Sequence, residues 1–495
     1  MNLRDSLFEL LRDAGPGKMM NTAYDTAWVA RLGELDKEIS DQALDWIARH
    51  QLRDGSWGAG ETRYYHDRVI STLAAMIALS KRGRRAVDQF QIERGQMALD
   101  ALTRGATKGL LGDPNAATIG FEMIVPTLLA EAESLGIIQS QQGHILSRLS
   151  NQREAKMALL NGLKINRFVT VAFSAEMAGV NGRELFDVDN LQEANGSVGY
   201  SPSATAYFAI YIRPQDPAAL EYIRRSIKNG GVPFATPFEV FERSWILSNV
   251  ALLNDLDDEM LALCKPHLDF LLAAWKPGKG VGFAVGYTPK DGDDTNITYK
   301  VLTQFGFSVD LDAVFSYELE KHFQCYSFEV NPSVSANIHA LDALRHAGLT
   351  KDHPSVQKVL KFLLETRVFG AYWFDKWHTS PYYTTSHAII ALTNYKDDLA
   401  VAAVEWILQT QNKDGSWGCY FPSAEETAYC LQALSIWKRS GGKFPNAAIE
   451  MGAVWLEDHI EDPYPPLWIG KCLYCPELIV RSTILTALML VKNLG

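Results

Sequence analysis

Cysteine is scarce: six residues in a chain of 495. Scattered at that density they do not form a disulfide scaffold, and reduced thiols in the cytoplasm are the expectation. Cys472 and Cys475 make one CxxC, but no second pair stands at zinc spacing, so both read as ordinary helix or turn cysteines. No run of 18 apolar residues occurs, which excludes a transmembrane helix. Blocks of Lys and Arg are also missing. With 47 Lys+Arg against 58 Asp+Glu, the net charge is −11, which excludes nucleic acid as a partner. The N-terminus is no secretory signal either. Leu3, Leu7, Leu10 and Leu11 fall on one helical face with charges between them, the pattern of an amphipathic helix.

What the chain does have is aromatic residues and repetition. It is 47% hydrophobic and 11% aromatic, with 12 Trp, 19 Tyr and 22 Phe, which suits a wide aromatic-lined interior. The segment Trp46–Gly58 matches Trp406–Gly418 at a constant offset, pairing Gln51 with Gln411, Asp54 with Asp414 and Trp57 with Trp417. Looser copies surround Tyr200, Phe283 and Trp373. Each has a helix, a Gly/aromatic turn and a second helix often rich in Thr and Ala. Strand-like alternation is scarce and helical periodicity dominates. A helical hairpin cannot bury its apolar face alone, so neighbouring hairpins must stack. Two closed rings of paired helices account for the copies better than an open solenoid, giving an all-α fold of two α/α barrels.

One turn carries chemistry. Asp291-Gly-Asp-Asp294 places Asp291, Asp293 and Asp294 within four residues, after a Gly/aromatic turn and before the apolar-periodic run Ile297, Val301, Leu302, Phe305. Crowded carboxylates cannot all ionise cheaply near neutral pH, so one tends to keep its proton. Such an acid beside an apolar pocket can protonate a base as weak as a carbon–carbon double bond. The same letters also read as a helix N-cap, with Asp293 or Asp294 capping. Asp255-Leu-Asp-Asp258 is an internal control: the spacing is the same, the aromatic approach is lacking, and a solvated acidic loop is expected.

Together with the acid motif, the repeats resemble the QW-type turns of terpene cyclases, and the chain is similar to the bacterial class II diterpene cyclases along nearly its whole length. The matching segments are Thr22–Trp28, Gln51–Trp57, Ile119–Glu122, Asn195–Ser203, Gly230–Pro233 and Asp375–Trp377. The closest likeness is to synthases of halimadane- and clerodane-type diphosphates, such as tuberculosinyl and kolavenyl diphosphate synthases. The resemblance implies an N-terminal helix (1–19) belonging to a β domain, an inserted γ domain (20–215) and the rest of the β domain (216–495). It implies geranylgeranyl diphosphate as substrate, held between the barrels, with Asp293 as the acid. The diphosphate would be retained, since no Asp-Asp-x-x-Asp/Glu metal motif occurs. A class I terpene synthase or a phosphatase would act downstream.

Other roles follow from the same resemblance. Asn337, on a core-facing stripe with Leu341 and Leu344, would partner Asp293, while His339 would face the surface. Trp245, Phe283, Tyr287, Trp373, Trp377, Tyr382 and Tyr383 are the candidates for walls that stabilise carbocations. Lys164, Arg167 and Lys376 would hold the diphosphate with Mg²⁺, for which Asp113 is the one acidic candidate. Phe173 and Phe234 occupy the positions where plant copalyl diphosphate synthases keep a His and an Asn that hold a deprotonating water. Neither Phe can act as a base, so the first bicyclic cation would survive to undergo hydride and methyl shifts. A clerodane diphosphate is the first expectation, with halimadane or copalyl products as alternatives.

Three rivals share parts of this pattern. A triterpene cyclase would be longer, with more repeats and a membrane-inserting patch. A carboxylate glycosidase would use Asp293 on sugars. A thioester-type toroid would need a Cys-Gly-Glu-Gln signature, which is absent.

Overall fold

The computed structural model describes residues 2–105, 117–139, 144–160, 162–327, 329 and 331–494. Six helices, Glu239–Ala251, Gly292–Gln304, Val334–His346, Pro381–Leu392, Ala424–Arg439 and Glu477–Lys492, each pack on the next, and the last packs on the first. This closes a ring that sequence spacing alone does not prove. An outer layer backs it: Asp258–Ala274, Asp312–Phe315, Pro354–Thr366, Asp397–Gln409 and Ala447–Asp458. The sixth outer place is filled by Leu3–Asp13, which lies against Glu477–Lys492 and Asp258–Ala274. Its buried Leu3, Leu7, Phe8, Leu10 and Leu11 explain the amphipathic pattern at the N-terminus.

The first barrel is a smaller ring. Ala23–Ala30, Tyr65–Arg82, Phe121–Ser134, the 3₁₀ segment Thr170–Ala178 and Pro202–Tyr207 contact one another in order, and the last returns to the first. Ala23–Ala30 is buried at every position, as an inner helix with neighbours all round must be. The helix Pro217–Ser226 packs on Pro202–Tyr207, and its Arg224 pairs with Asp36 at 2.8 Å.

The repeat turns are hydrogen-bonding devices. The indole N–H of Trp57, Trp373 and Trp417 donates to the carbonyl ten residues upstream, at Ile47, Leu363 and Ile407, each at 2.8 Å. The backbone N–H of each of these Trp residues donates to a Thr hydroxyl of the following helix. Gln51 and Gln411 clamp the glycine carbonyls of their own turns, Gly55 and Gly415, at 2.8 Å. Each repeat thereby satisfies buried backbone groups that the turn leaves open.

The only sheet among the described residues is a short hairpin, Trp468–Ile469 paired antiparallel with Leu473–Tyr474. It bridges the barrels. Ile119 N–H donates to Gly470 O, and Leu473 N–H to Asp67. At its tip the fully buried Lys471 donates to Glu176 at 2.6 Å and to Ser201 and Ser203 at 2.8 Å. Six cysteines are free thiols, Cys472 and Cys475 included. No described helix is long and apolar enough to cross a membrane.

Candidate active site

The acid motif starts an inner helix at the junction of the barrels. Asp291 is the N-cap of Gly292–Gln304, accepting from Asp294 N–H at 2.8 Å. Capping therefore falls to the first carboxylate, not to Asp293 or Asp294. Gly292 N–H donates to Cys325 O at 2.8 Å. A Cβ at Gly292 would meet Gln324 O at 2.4 Å, so only glycine admits this close loop. Asp291 and Asp294 are buried, whereas the Asp293 side chain keeps 13% exposure toward the cavity. Burial pushes the Asp291 carboxyl up to about 7. Asp294 is also raised well above the usual carboxylate range, through burial first and then the charge of Asp291. Burial thus favours the protonated form of both flanking carboxyls, and the helix N-terminus can stabilise a carboxylate left behind by proton transfer. The control motif differs in setting. Asp257 also caps a helix rather than lying in a loop, but it is exposed and pairs with Arg4 at 2.7 Å.

The partner of Asp293 is His339. Its Nδ1 lies 2.6 Å from Asp293 Oδ1, and its Nε2 lies 3.1 Å from His387 Nδ1. This corrects two expectations. His339 is buried, not at the surface. Asn337 does not reach the acid; it donates to Phe323 O at 2.9 Å and Ser333 O at 2.8 Å and accepts from Phe323 N–H at 2.8 Å. The physical reason is that Val334–His346 is buried from Ser335 to Leu344, so apolar periodicity does not tell its lumen face from its inter-layer face. A usable signal was the spacing of His339, Asp342 and His346, a polar stripe at i, i+3, i+7 on a buried helix. Asn337 instead pins the loop whose Cys325 carbonyl meets Gly292. Asp375 fastens the same helix, accepting from Val334 N–H at 2.7 Å and Ser335 N–H at 3.0 Å.

A cavity of about 280 Å³ lies between the barrels and includes Asp291, Asp293 and Asp294 in its wall. Of the aromatic candidates, Phe173, Phe234, Trp245, Phe283, Tyr287, Trp377 and Tyr383 line it. Trp373 and Tyr382 do not. Trp373 is the core indole of its repeat, and Tyr382 packs on Trp406 with ring centroids 5.0 Å apart. The wall also contains Phe241, Tyr326, Trp468 and Tyr474, the last two brought from the distant hairpin. Phe173 and Phe234 meet edge to face at 5.9 Å, and Phe234 lies 4.4 Å from Tyr474. Behind Phe173, Lys471 Nζ sits 4.6 Å from the ring centroid. Trp245 stands edge-on to His339, with centroids 5.8 Å apart.

Among the described residues, the cation of the cavity wall is Lys156, from the first barrel; Thr170 and Ser174 also line the cavity, and Lys156 pairs with Glu122. Lys164, Arg167 and Lys376 are outside the wall. Lys164 is exposed, Arg167 donates to Gln192 O at 3.3 Å, and Lys376 pairs with Glu329 and donates to Asn331 O at 2.6 Å. Their charge is spent on loops or open to solvent. Asp113 lies outside the described residues.

Comparisons with known proteins agree with this two-barrel fold. Residues 18–108 match the prenyltransferase alpha-alpha toroid domain and residues 327–452 the squalene-hopene cyclase C-terminal domain. The chain is 48% identical to a type B diterpene cyclase of Mycobacterium tuberculosis, over 98% of each chain. It is 30% identical to a (+)-kolavenyl diphosphate synthase of Herpetosiphon aurantiacus, over 100% of this chain and 98% of that one. Among solved structures, the ent-copalyl diphosphate synthase of Streptomyces platensis superposes with a TM-score of 0.78 at 28% identity, covering 99% of this chain and 98% of the other. By sequence along its whole length and by its two toroids, the chain belongs to the class II diterpene cyclases.

Proposed function

We propose that the enzyme cyclises geranylgeranyl diphosphate to a rearranged bicyclic diphosphate of the clerodane type, kolavenyl diphosphate, with the diphosphate retained. The observation that carries the reading is Asp293: one carboxyl facing an aromatic cavity, bonded to His339 at 2.6 Å and flanked by two buried carboxyls. Asp293 delivers its proton to the terminal double bond of the folded chain. Two ring closures follow, and the carboxylate left behind is held by His339 and the helix N-terminus.

Positive charge on the substrate then meets ring faces and edges, each face worth about 0.5–2 kcal/mol. Where Phe173 and Phe234 stand there is neither base nor water-holding polar pair, so early proton loss is slow and 1,2-shifts continue. A halimadane diphosphate is the product of stopping partway along the same shifts. The likeness to a kolavenyl diphosphate synthase supports the clerodane end point.

The diphosphate lies at the first-barrel side of the cavity, against Lys156 and the hydroxyls of Thr170 and Ser174. Glu122 would hold Mg²⁺ beside it, and the ion would supply charge neutralisation. One carboxylate with substrate oxygens suffices for that ion. All six cysteines are free, which fits a reducing cytoplasm. The product would pass to a class I terpene synthase or a phosphatase.

The test is incubation with geranylgeranyl diphosphate and Mg²⁺, enzymatic dephosphorylation, and identification of the alcohol by mass spectrometry and NMR. A clerodane skeleton without pyrophosphate release is expected. An unrearranged labdane skeleton, or pyrophosphate released in step with substrate loss, refutes the reading.

A further inference from the structure

Fully buried Glu176 is balanced by Lys471, and buried Asp342 by Lys300. Glu425 has no such partner. It is fully buried in the first turn of Ala424–Arg439, and among the described residues no Lys or Arg pairs with it. Its donors are rings. Oε1 accepts from the indole N–H of Trp468 at 2.7 Å, the hydroxyl of Tyr429 at 2.9 Å and Nε2 of His378 at 3.2 Å. Nδ1 of His378 accepts from Ser380 N–H at 3.1 Å, which fixes the ring proton on Nε2. Three donors converging on one oxygen, in the first turn of a helix, make the environment of a carboxylate, which only accepts. Its other oxygen, Oε2, is buried without a hydrogen-bond partner.

The rings around Glu425 form the back of the substrate cavity. Trp468 and Tyr383 line that cavity, and Glu425 itself does not. His378 stacks on Tyr383 with centroids 4.7 Å apart and planes 12° from parallel. Tyr429 meets Tyr383 edge to face at 5.3 Å, and Trp468 meets it at 5.0 Å. Backbone bonds keep the set in register. Ile469 N–H donates to Trp377 O at 2.9 Å and Thr379 N–H to Leu467 O at 2.8 Å, tying the strand of Trp468 to the loop of His378. A negative charge bonded to an indole N–H raises the electron density of the ring, the property by which indole attracts cations.

We propose that Glu425 is the counter-charge of the carbocation, acting from behind the cavity wall through the Trp468 indole. The proposal deepens the reading of the cavity as a carbocation site and rests on it. The hydrocarbon part of the substrate is neutral when it binds and positive once protonated. A fixed buried anion therefore stabilises the intermediates and the transition states before them more than the bound substrate, which raises kcat and leaves KM nearly alone. A lysine at Glu425, like the one at Glu176, would cancel that field. The intervening rings keep the carboxylate from reaching the cation, so it neither captures it as an ester nor takes its proton. Glu425 touches no substrate; it is a positioning residue that sets the charge of the wall.

The test compares two ligands: a diphosphate-bearing bicyclic amine, whose ammonium stands in for a cationic ring carbon, and its uncharged carbon isostere. Each is titrated calorimetrically into wild-type enzyme and Glu425→Gln, which keeps an oxygen for the three donors and removes the charge. Wild type should bind the ammonium ligand more tightly. The variant should lose at least about ten-fold of that preference, with isostere affinity within about two-fold. Its kcat should fall about ten-fold or more at nearly unchanged KM. An unchanged preference overturns the proposal. So does an equal weakening of both ligands, the mark of a merely structural role. If Glu425→Gln does not fold, the ligands are measured on Trp468→Phe and Trp245→Phe. Both indoles line the cavity, but only Trp468 bonds a carboxylate; Trp245 N–H donates to the Tyr383 hydroxyl at 3.5 Å. The preference should fall further in Trp468→Phe, and a fall no larger than in Trp245→Phe overturns the proposal. Wild type that binds the isostere as tightly as the ammonium ligand refutes the carbocation site itself, and the counter-charge with it.

Discussion

Nδ1 of His339 sits 2.6 Å from Oδ1 of Asp293, while Asn337, two residues earlier in the same helix, holds only backbone. The contact makes a carboxyl–imidazole couple on the wall side of the proposed acid. It also separates the roles of two neighbouring residues in a way that variants can read.

Asp293→Asn should lose turnover by about three orders of magnitude, the range expected for removing a general acid. The helix should persist by circular dichroism, because the capping oxygen belongs to Asp291. Asp257→Asn, in the exposed motif of the same spacing, should stay within a factor of about two, since surface pairs such as Arg4–Asp257 contribute little. Equal losses in the two variants would refute the assignment.

His339→Phe should reduce kcat by about 10²-fold or more with little change in KM, because it removes the acid's partner and not a substrate contact. Asn337→Ala should act mainly on stability. It leaves the N–H and C=O of Phe323 unpaired, at a cost of about 1–3 kcal/mol each when buried. Thermal unfolding and steady-state kinetics on both variants check this. A kinetic loss at Asn337 without a fall in Tm would show that the partners had been interchanged.

Phe173→His combined with Phe234→Asn should divert part of the flux to unrearranged copalyl-type or water-captured alcohols, seen by gas chromatography of the dephosphorylated products. The two rings touch at 5.9 Å, so a polar pair there can share a water. Single substitutions should do less, because a base must be both placed and hydrated. A double variant that makes only the wild-type skeleton would count against the dry-wall account.

Stability should depend on pH through Asp291. Burial raises its folded value to about 7, from about 4 in the unfolded chain. Between those values the native state holds a proton that the unfolded state does not. Its contribution is therefore complete below about pH 4 and is lost as pH rises through 7, with a limiting slope of about 1.4 kcal/mol per unit. Asp291→Asn keeps an oxygen for the Asp294 N–H and removes the titration. Its Tm should fall less than that of the wild type between pH 4 and 7. Parallel Tm curves would show that Asp291 does not carry the proton.

Much of this enzyme was written in local patterns. Repeated Gly/aromatic turns between helices required stacked hairpins, because each indole and each turn carbonyl needs a partner at a set distance along the chain, as Trp57, Trp373 and Trp417 show. A carboxylate cluster at the start of an apolar helix marked the candidate acid, because spacing along one turn is a local property. Ring closure, by contrast, came from Glu239–Ala251 meeting Glu477–Lys492, a contact between chain segments that no periodicity encodes. The partner of Asp293 was decided the same way: on a helix buried all round, which side faces the lumen depends on what packs against it. Lys156, Trp468 and Tyr474 enter the cavity from segments far from the acid, so their side-chain chemistry became legible only once the two barrels and the bridging hairpin had set their distances.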